Sequence, residues 1–459
     1  MRHSGVKLIG LLAALMIALT GCNLIGVDQM KQLDLDFAAL DKDYSTVVAR
    51  YDGGEITKGA ALPNFVSLYS YYTQLYSMFG TSIGTDMINS IKNQALQQSV
   101  QNVAIAKECD ARGLTLSDEK LAEIQSTADA NYQQAYDSFF AQAAGKGEIK
   151  ALQTEYDMYA NGYSKQSFYD SELAQAKHEL LEENLKAEVS ELTDEQLQAA
   201  YDEKVSDDQE AYADDPGAFE SAMTDADENV AWMPEGYRTV KHILVKPDEA
   251  LLTAVNNARN ALSDAEDSLK DYEAEQAGTA ETDQDDEPRT AEEIQADIDE
   301  TRSEIEKAQA DVQTAEAAVL DSVKAKTDEI YAKLAEGVAF ADLIAEYGED
   351  PGMQNEPTAT RGYYVSAQSE NWDKNFTAGA MALQNVGDVS QSPVISTSGV
   401  HIIRYESDVT PGAVPLENIR DAFYNSTLEN AQSEHEQEVL EKLTAALNPV
   451  YFADAFTIG

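Results

Sequence analysis

SPVISTSGVHIIRY, residues 392–405, is the stretch from which the rest of this 459-residue chain can be placed. Val394 and Ile395 form a short β-favouring run, Ser396 to Gly399 is polar and turn-forming, and Val400 to Ile403 is a second β-favouring run with His401 among apolar neighbours. The pattern predicts a hairpin carrying one histidine. A lone histidine in a strand is ordinarily a structural residue, so its meaning depends on what else the chain holds. Upstream, residues 238–247 read RTVKHILVKP, a β-branched run with His242 set in it.

A strand, intervening helices and a hairpin ending in GVHII together resemble the parvulin family of peptidyl-prolyl isomerases. GVAFADLIAEYGED (337–350), an aromatic-rich piece and AMALQNVGDVSQSPV (380–394) follow in the matching order. The resemblance implies that His242 and His401 are the paired histidines at the base of the site. It places Ser396 where the family often has Thr or Ser, Ser398 as a nearby hydroxyl on the turn, and Asp350 at a position held by Cys or Asp. Phe376 matches the aromatic wall of the proline pocket, and Trp372 falls where Met is common. Met381 and Leu383 are expected to support that wall. Turning an X-Pro bond needs no nucleophile, metal or net proton transfer, so no cofactor is implied. The chain also departs from the family. Thr358, Ala359, Thr360, Arg361 and Gly362 stand where a GGDLG-like run is usual, and the Arg361 charge is costly to place in an apolar pocket. Between Gly362 and Phe376 the chain is longer than usual.

A hydrophobic fraction of 43% is ordinary for a globular protein, so global disorder is not expected. The formal charge of −51 argues against nucleic acid as a partner and against electrostatic adhesion to anionic lipid. At the N-terminus, Arg2 and Lys7 precede an apolar run too short to span a bilayer comfortably, ending in Leu19, Thr20, Gly21 and Cys22. That ending resembles a bacterial lipobox, which implies a signal peptide over 1–21 and lipid on Cys22 as a stable membrane anchor. Cys109 is then the one cysteine left, so no intramolecular disulfide can form, and it is expected as a small buried hydrophobe. No HxxxH or CxxC spacing points to a metal.

In chain order, residues 22–45 read as a lipidated tether. A mostly helical domain over 46–206 opens with a short strand, a DGG turn and a restart in VVARYDGGEITK (47–58). Phe65, Leu68, Tyr72, Leu75, Tyr76 and Phe79 recur at helical spacing, predicting either a packed core face or a groove for unfolded chains. Residues 207–236 read as an acidic linker in which Asp225 and Asp227 lack calcium-loop spacing. The parvulin-like domain, 237–408, is interrupted over 250–320 by two Ala- and Glu-rich helical patterns, predicting a helical hairpin whose second helix continues into the domain's first helix. A long helix and tail, 409–459, is expected to return to the N-terminal helices, as in related foldases.

The fold class expected is α+β: a mostly helical chaperone lobe from both chain ends, with an inserted small antiparallel sheet flanked by helices. The function expected is that of a foldase anchored on the extracellular face of the cell membrane, which isomerises X-Pro bonds in unfolded or partly folded secreted proteins and holds those clients. Two alternatives stand beside it, a non-catalytic holdase with a degenerate parvulin-like domain and a structural or adhesive surface lipoprotein. Self-association as a homodimer stays open.

Overall fold

The computed structural model describes residues 35–143, 146–225, 229–279 and 289–457. The chain divides into two units, one from Met1–Leu192 with Ser426–Gly459 and one from Thr193–Asn425. Cys22 and the signal-peptide reading lie outside the described residues, as does Asp227. Among the described residues no helix is long and apolar enough to cross a membrane.

The first unit begins with α1 (Phe37–Tyr44), the strands β1 (Val47–Tyr51) and β2 (Gly54–Thr57), and the helices α2 (Lys58–Met78), α3 (Thr85–Arg112), α4 (Asp118–Gln142), α5 (Glu148–Ala160) and α6 (Lys165–Glu188). The sequence supplies its punctuation. Ser117 caps α4, and Gly113 ends α3 with φ at 70°, in the left-handed region a glycine adopts without a Cβ clash. The tether reading needs correction at its C-terminal end. Asp36 caps α1, Phe37 sits edge-on to Tyr156 at 5.1 Å, and the Tyr159 hydroxyl donates to Asp41, so these residues are folded onto α5.

The aromatic stripe on α2 is divided. Phe65 is buried with Leu62, Ile91, Leu96 and Phe456, and Leu68 and Tyr72 pack against that core. Phe79, expected on the same face, lies one residue past the helix end and is 75% exposed, as is Met78. Tyr69, which is not among the residues of that spacing, stacks on Phe65 at 5.6 Å. A second core joins Ile105 and Cys109 of α3 to Leu181 and Leu185 of α6 and to Leu440.

The second unit holds α7 (Asp194–Ala213), α8 (Pro216–Thr224), β3 (Trp232–Met233), β4 (Arg238–Val245), α9 (Glu249–Gln276), α10 (Ala291–Ala335), α11 (Phe340–Tyr347), α12 (Thr358–Arg361), β5 (Tyr363–Val365), α13 (Lys374–Met381), β6 (Val394–Ser396), β7 (Gly399–Asp408) and β8 (Gly412–Ala413). The helix α14 (Leu416–Ala446) starts here and continues into the first unit, where β9 (Val450–Tyr451) pairs with β1.

The acidic linker is not a linker. α7 starts at a Thr193–Gln196 capping box and runs to Ala213, Pro216 opens α8, and the intervening acids are used. Asp208 is fully buried, accepting from Lys204 Nζ at 2.7 Å and from the Ala231 backbone N–H at 2.7 Å. Acidity alone suggested an irregular segment, whereas Tyr201, Tyr212 and Phe219 supply the apolar faces that bury it.

The central sheet is antiparallel in the order β5-β4-β7-β6. One face, through Ile243, Val245, Val400 and Ile402, packs on Val319, Val323 and Ile330 of α10, Leu343 of α11 and Val255 of α9. The other face, through Val240, Ile403 and Tyr405, packs on Phe376 and Ala380 of α13. The inserted α9 and α10 form a helical hairpin with a thin seam of Ile294, Ile298 and Ala308, pinned at its edges by Arg259–Glu316 and Arg302–Glu273 ion pairs. α10 runs unbroken for 45 residues from the hairpin into the domain core.

Candidate active site

The sheet brings the two histidines together. In the β4–β7 register His242 lies opposite Ile403 and Leu244 opposite His401, so the histidines are diagonal neighbours on one face. That face is the one covered by α13, because His401 shares its parity with Ile403 and Tyr405, and His242 with Val240. Both rings are buried, and their Nδ1 atoms stand 2.8 Å apart.

A continuous hydrogen-bonded relay runs through them. Asp350 Oδ2 lies 2.7 Å from His242 Nε2, and His401 Nε2 lies 2.6 Å from Ser396 Oγ. Ser396 Oγ accepts from the Ser398 backbone N–H at 3.0 Å, and Asp350 also accepts from the Gly352 N–H and the Tyr363 hydroxyl, each at 2.9 Å. Burial pushes the Asp350 carboxyl up, but the His242 contact, the Gly352 N–H and the Tyr363 hydroxyl outweigh it and hold the group at about 2. Burial and then the neighbouring His242 ring push His401 down to about 3, with Asp350 opposing. With His401 neutral and Asp350 ionised, a His242 that carries its proton on Nε2 pairs every atom of the relay in one direction. Ser396 donates to His401 Nε2, His401 Nδ1–H donates to His242 Nδ1, and His242 Nε2–H donates to Asp350. Burial, with the Asp350 charge next, pushes the Tyr363 hydroxyl up, which keeps it a donor.

Aromatic rings cover this relay. Phe376 stands edge-on to His242 at 5.2 Å and to His401 at 5.0 Å, and is buried. Trp372 lies 6.2 Å from Phe376 and 4.5 Å from Tyr363, its indole N–H donating to the Tyr364 carbonyl at 2.7 Å. Met381 and Trp372 are half-buried at the edge of this cluster, and Leu383 is buried within it. Asp373 ties the parts together. One carboxylate oxygen caps α13 by accepting from the Asn375 and Phe376 N–H groups, and the other accepts from the Thr397 N–H at the hairpin turn, 3.0 Å away.

The structure therefore gathers His242, Asp350, Ser396, His401, Trp372, Phe376 and Met381 at one place. Ser398 joins them through its backbone N–H, with its side chain exposed at the turn, not through the expected hydroxyl. Arg361 does not point into the cluster. Its guanidinium donates to the Met223 carbonyl and lies 6.0 Å over the Tyr364 ring, so the charge leaves the apolar pocket. Gly362, which survives from the usual run, has φ at 80° and a Cβ position only 2.6 Å from the Val240 carbonyl oxygen, a close approach that only glycine makes. Tyr363 and Asp373 were not foreseen. An aspartate just ahead of a helical pattern is a readable capping signal, whereas nothing local marks Tyr363 as a partner of Asp350. Among the described residues no group of three or more His, Cys, Asp or Glu is placed to hold a metal.

Residues 288–407 match the family described as Rotamase: PPIC-type PPIASE domain. The chain thus carries a parvulin-type peptidyl-prolyl isomerase domain, with β4 and its His242 lying upstream of the matched stretch. No curated protein matches the chain. Among solved structures, the peptidylprolyl isomerase PrsA of Bacillus anthracis is 13% identical, covering 77% of this chain and 97% of its own, with a TM-score of 0.18. The foldase protein PrsA of Streptococcus pneumoniae is 14% identical over 88% of this chain and 95% of its own, with a TM-score of 0.23. A SurA-like chaperone from the Campylobacter jejuni pair PEB4 and Cj1289 is 16% identical over 73% and 94%, with a TM-score of 0.21. Scores of this size carry no inference about function.

Proposed function

We propose that this chain is a foldase, anchored by lipid on Cys22 at the outer face of the cell membrane, that isomerises X-Pro bonds in secreted proteins and holds unfolded clients on its helical unit. The observation that carries the catalytic part is the Asp350–His242–His401–Ser396 relay, fully paired, with His242, His401 and Ser396 buried and Asp350 half-buried. A planar amide is more polar than a twisted one, because resonance puts charge on the carbonyl oxygen and gives a barrier of roughly 18–20 kcal/mol. An apolar cage therefore favours the twisted geometry over the planar one. The proline ring packs against Phe376 and Met381 beside Trp372, while the relay fixes the floor beneath it without leaving a buried polar atom for the substrate to satisfy. His401 acts here as a fixed, neutral hydrogen-bonding group and not as a proton carrier.

The exposed Tyr71 within α2 and the exposed Met78 and Phe79 at its end support a second reading, in which holding clients is the whole activity. The two are separated by cis-to-trans isomerisation of X-Pro tetrapeptides by the chain from Cys22 onward, unlipidated, beside His401→Ala and Phe376→Ala. Turnover lost in both variants supports the isomerase. Absence of turnover in the parent, with aggregation of an unfolded client still suppressed, overturns it in favour of the holdase.

A further inference from the structure

α8 supplies no ring to the pocket, yet it grips the loop from which the pocket's aromatic wall is presented. Glu220 is 1% exposed. Its Oε2 accepts from the Asn371 N–H at 2.9 Å and the Glu370 N–H at 3.3 Å, and its Oε1 accepts from the Tyr237 hydroxyl at 3.3 Å. Asn371 answers from the loop side, donating its amide to the Gly217 carbonyl at 2.8 Å and the Ser221 hydroxyl at 2.9 Å. Beneath this clip Phe219 is fully buried, 4.5 Å from the Tyr237 ring and 5.6 Å from that of Tyr364. The next residues are Trp372 and Asp373, the latter capping the helix that carries Phe376.

A buried carboxylate is costly unless its oxygens are met by donors, and here the donors are backbone groups of a long loop that holds no helix or strand of its own over residues 366–373. We infer that Glu220 is a positioning residue for the proline pocket: from α8, outside the matched isomerase sequence, it fixes residues 370 and 371 and through them the Trp372 ring and the start of α13. This rests on the isomerase reading above. The clip holds residues 370 and 371, which lie within the stretch between Gly362 and Phe376 where the chain is longer than usual.

The test uses the chain from Cys22 onward with Trp232→Phe, so that Trp372 is the sole tryptophan. Glu220→Gln removes the charge from the acceptor that meets the Asn371 and Glu370 N–H groups and turns the oxygen beside the Tyr237 hydroxyl into a donor. Its KM for an X-Pro tetrapeptide is expected to rise about tenfold, with kcat changed less than about twofold and Trp372 emission shifted to the red. Asn371→Ala, exposed and milder, is expected to move both quantities the same way by about threefold. Unchanged KM and unchanged emission in a folded Glu220→Gln overturn the inference. If Glu220→Gln does not fold, Asn371→Ala decides on the same two readouts. If the parent binds peptide without turning it over, the isomerase reading fails while the clip is judged on the dissociation constant from Trp372 titration. If the parent binds no peptide, Trp372 emission alone decides.

Discussion

Acidification should weaken the second unit through His401, and the size of the effect follows from its surroundings. In the folded chain burial and the His242 ring hold His401 at about 3, whereas in the unfolded chain it titrates near the ordinary histidine value of about 6.5. A group whose folded pKa is depressed contributes stability that is fully present above its unfolded pKa and is lost as pH falls towards the folded one. Below about pH 6.5 the unfolded chain therefore binds one proton that the folded chain refuses, costing about 1.4 kcal/mol per pH unit. Between pH 6.5 and 4.5 this amounts to about 2.5 kcal/mol. Urea unfolding followed by tryptophan fluorescence isolates the effect, because the chain's two tryptophans, Trp232 and Trp372, both lie in the second unit. His401→Gln keeps an acceptor for Ser396 but removes the titration, so its stability is expected to vary much less across the same window whatever its absolute value. An equal slope in parent and variant would refute the reasoning.

Tyr363→Phe removes one of the donors that hold Asp350 down while leaving the ring on Trp372. It is expected to raise the Asp350 pKa and to cost about 1.5 kcal/mol, measurable by carboxylate titration and urea unfolding. Gly362→Ala meets both a positive φ and the Val240 carbonyl, and should destabilise the second unit by more than about 1 kcal/mol. Deleting residues 250–319 removes Val255 and Val319 from the sheet's core, a loss of about 3–6 kcal/mol. Trimming the hairpin beyond Arg259 and Glu316 should leave unfolding near that of the parent, as thermal melts would show.

The parts of the site legible in the sequence were those that local pattern can encode. His242 and His401 each sit in a β-favouring run, and strand alternation with antiparallel pairing can put them on one face of the sheet. The continuous α10 was legible because its apolar spacing never breaks. What escaped was built from contacts far apart in sequence. Glu220 meets Asn371 across 151 residues, and Tyr363 becomes a relay partner only after β5 pairs with β4. The acidic composition of residues 207–224 suggested solvent, but the chain uses Asp208 and Glu220 as buried acceptors for backbone donors. Residues 37–44 escaped likewise, since their helix is held by Tyr156 and Tyr159, more than a hundred positions away.

The unbroken α10 makes the inserted arm and the domain's first helix a single rod of about 68 Å. Val319, Val323 and Ile330, along its lower half, press on the reverse side of the strands that carry the histidines. No proline or glycine interrupts residues 291–335, so the arm and the part of the helix beneath the sheet are one continuous element. The arm is thereby the direct continuation of the helix on which the histidine-bearing strands rest.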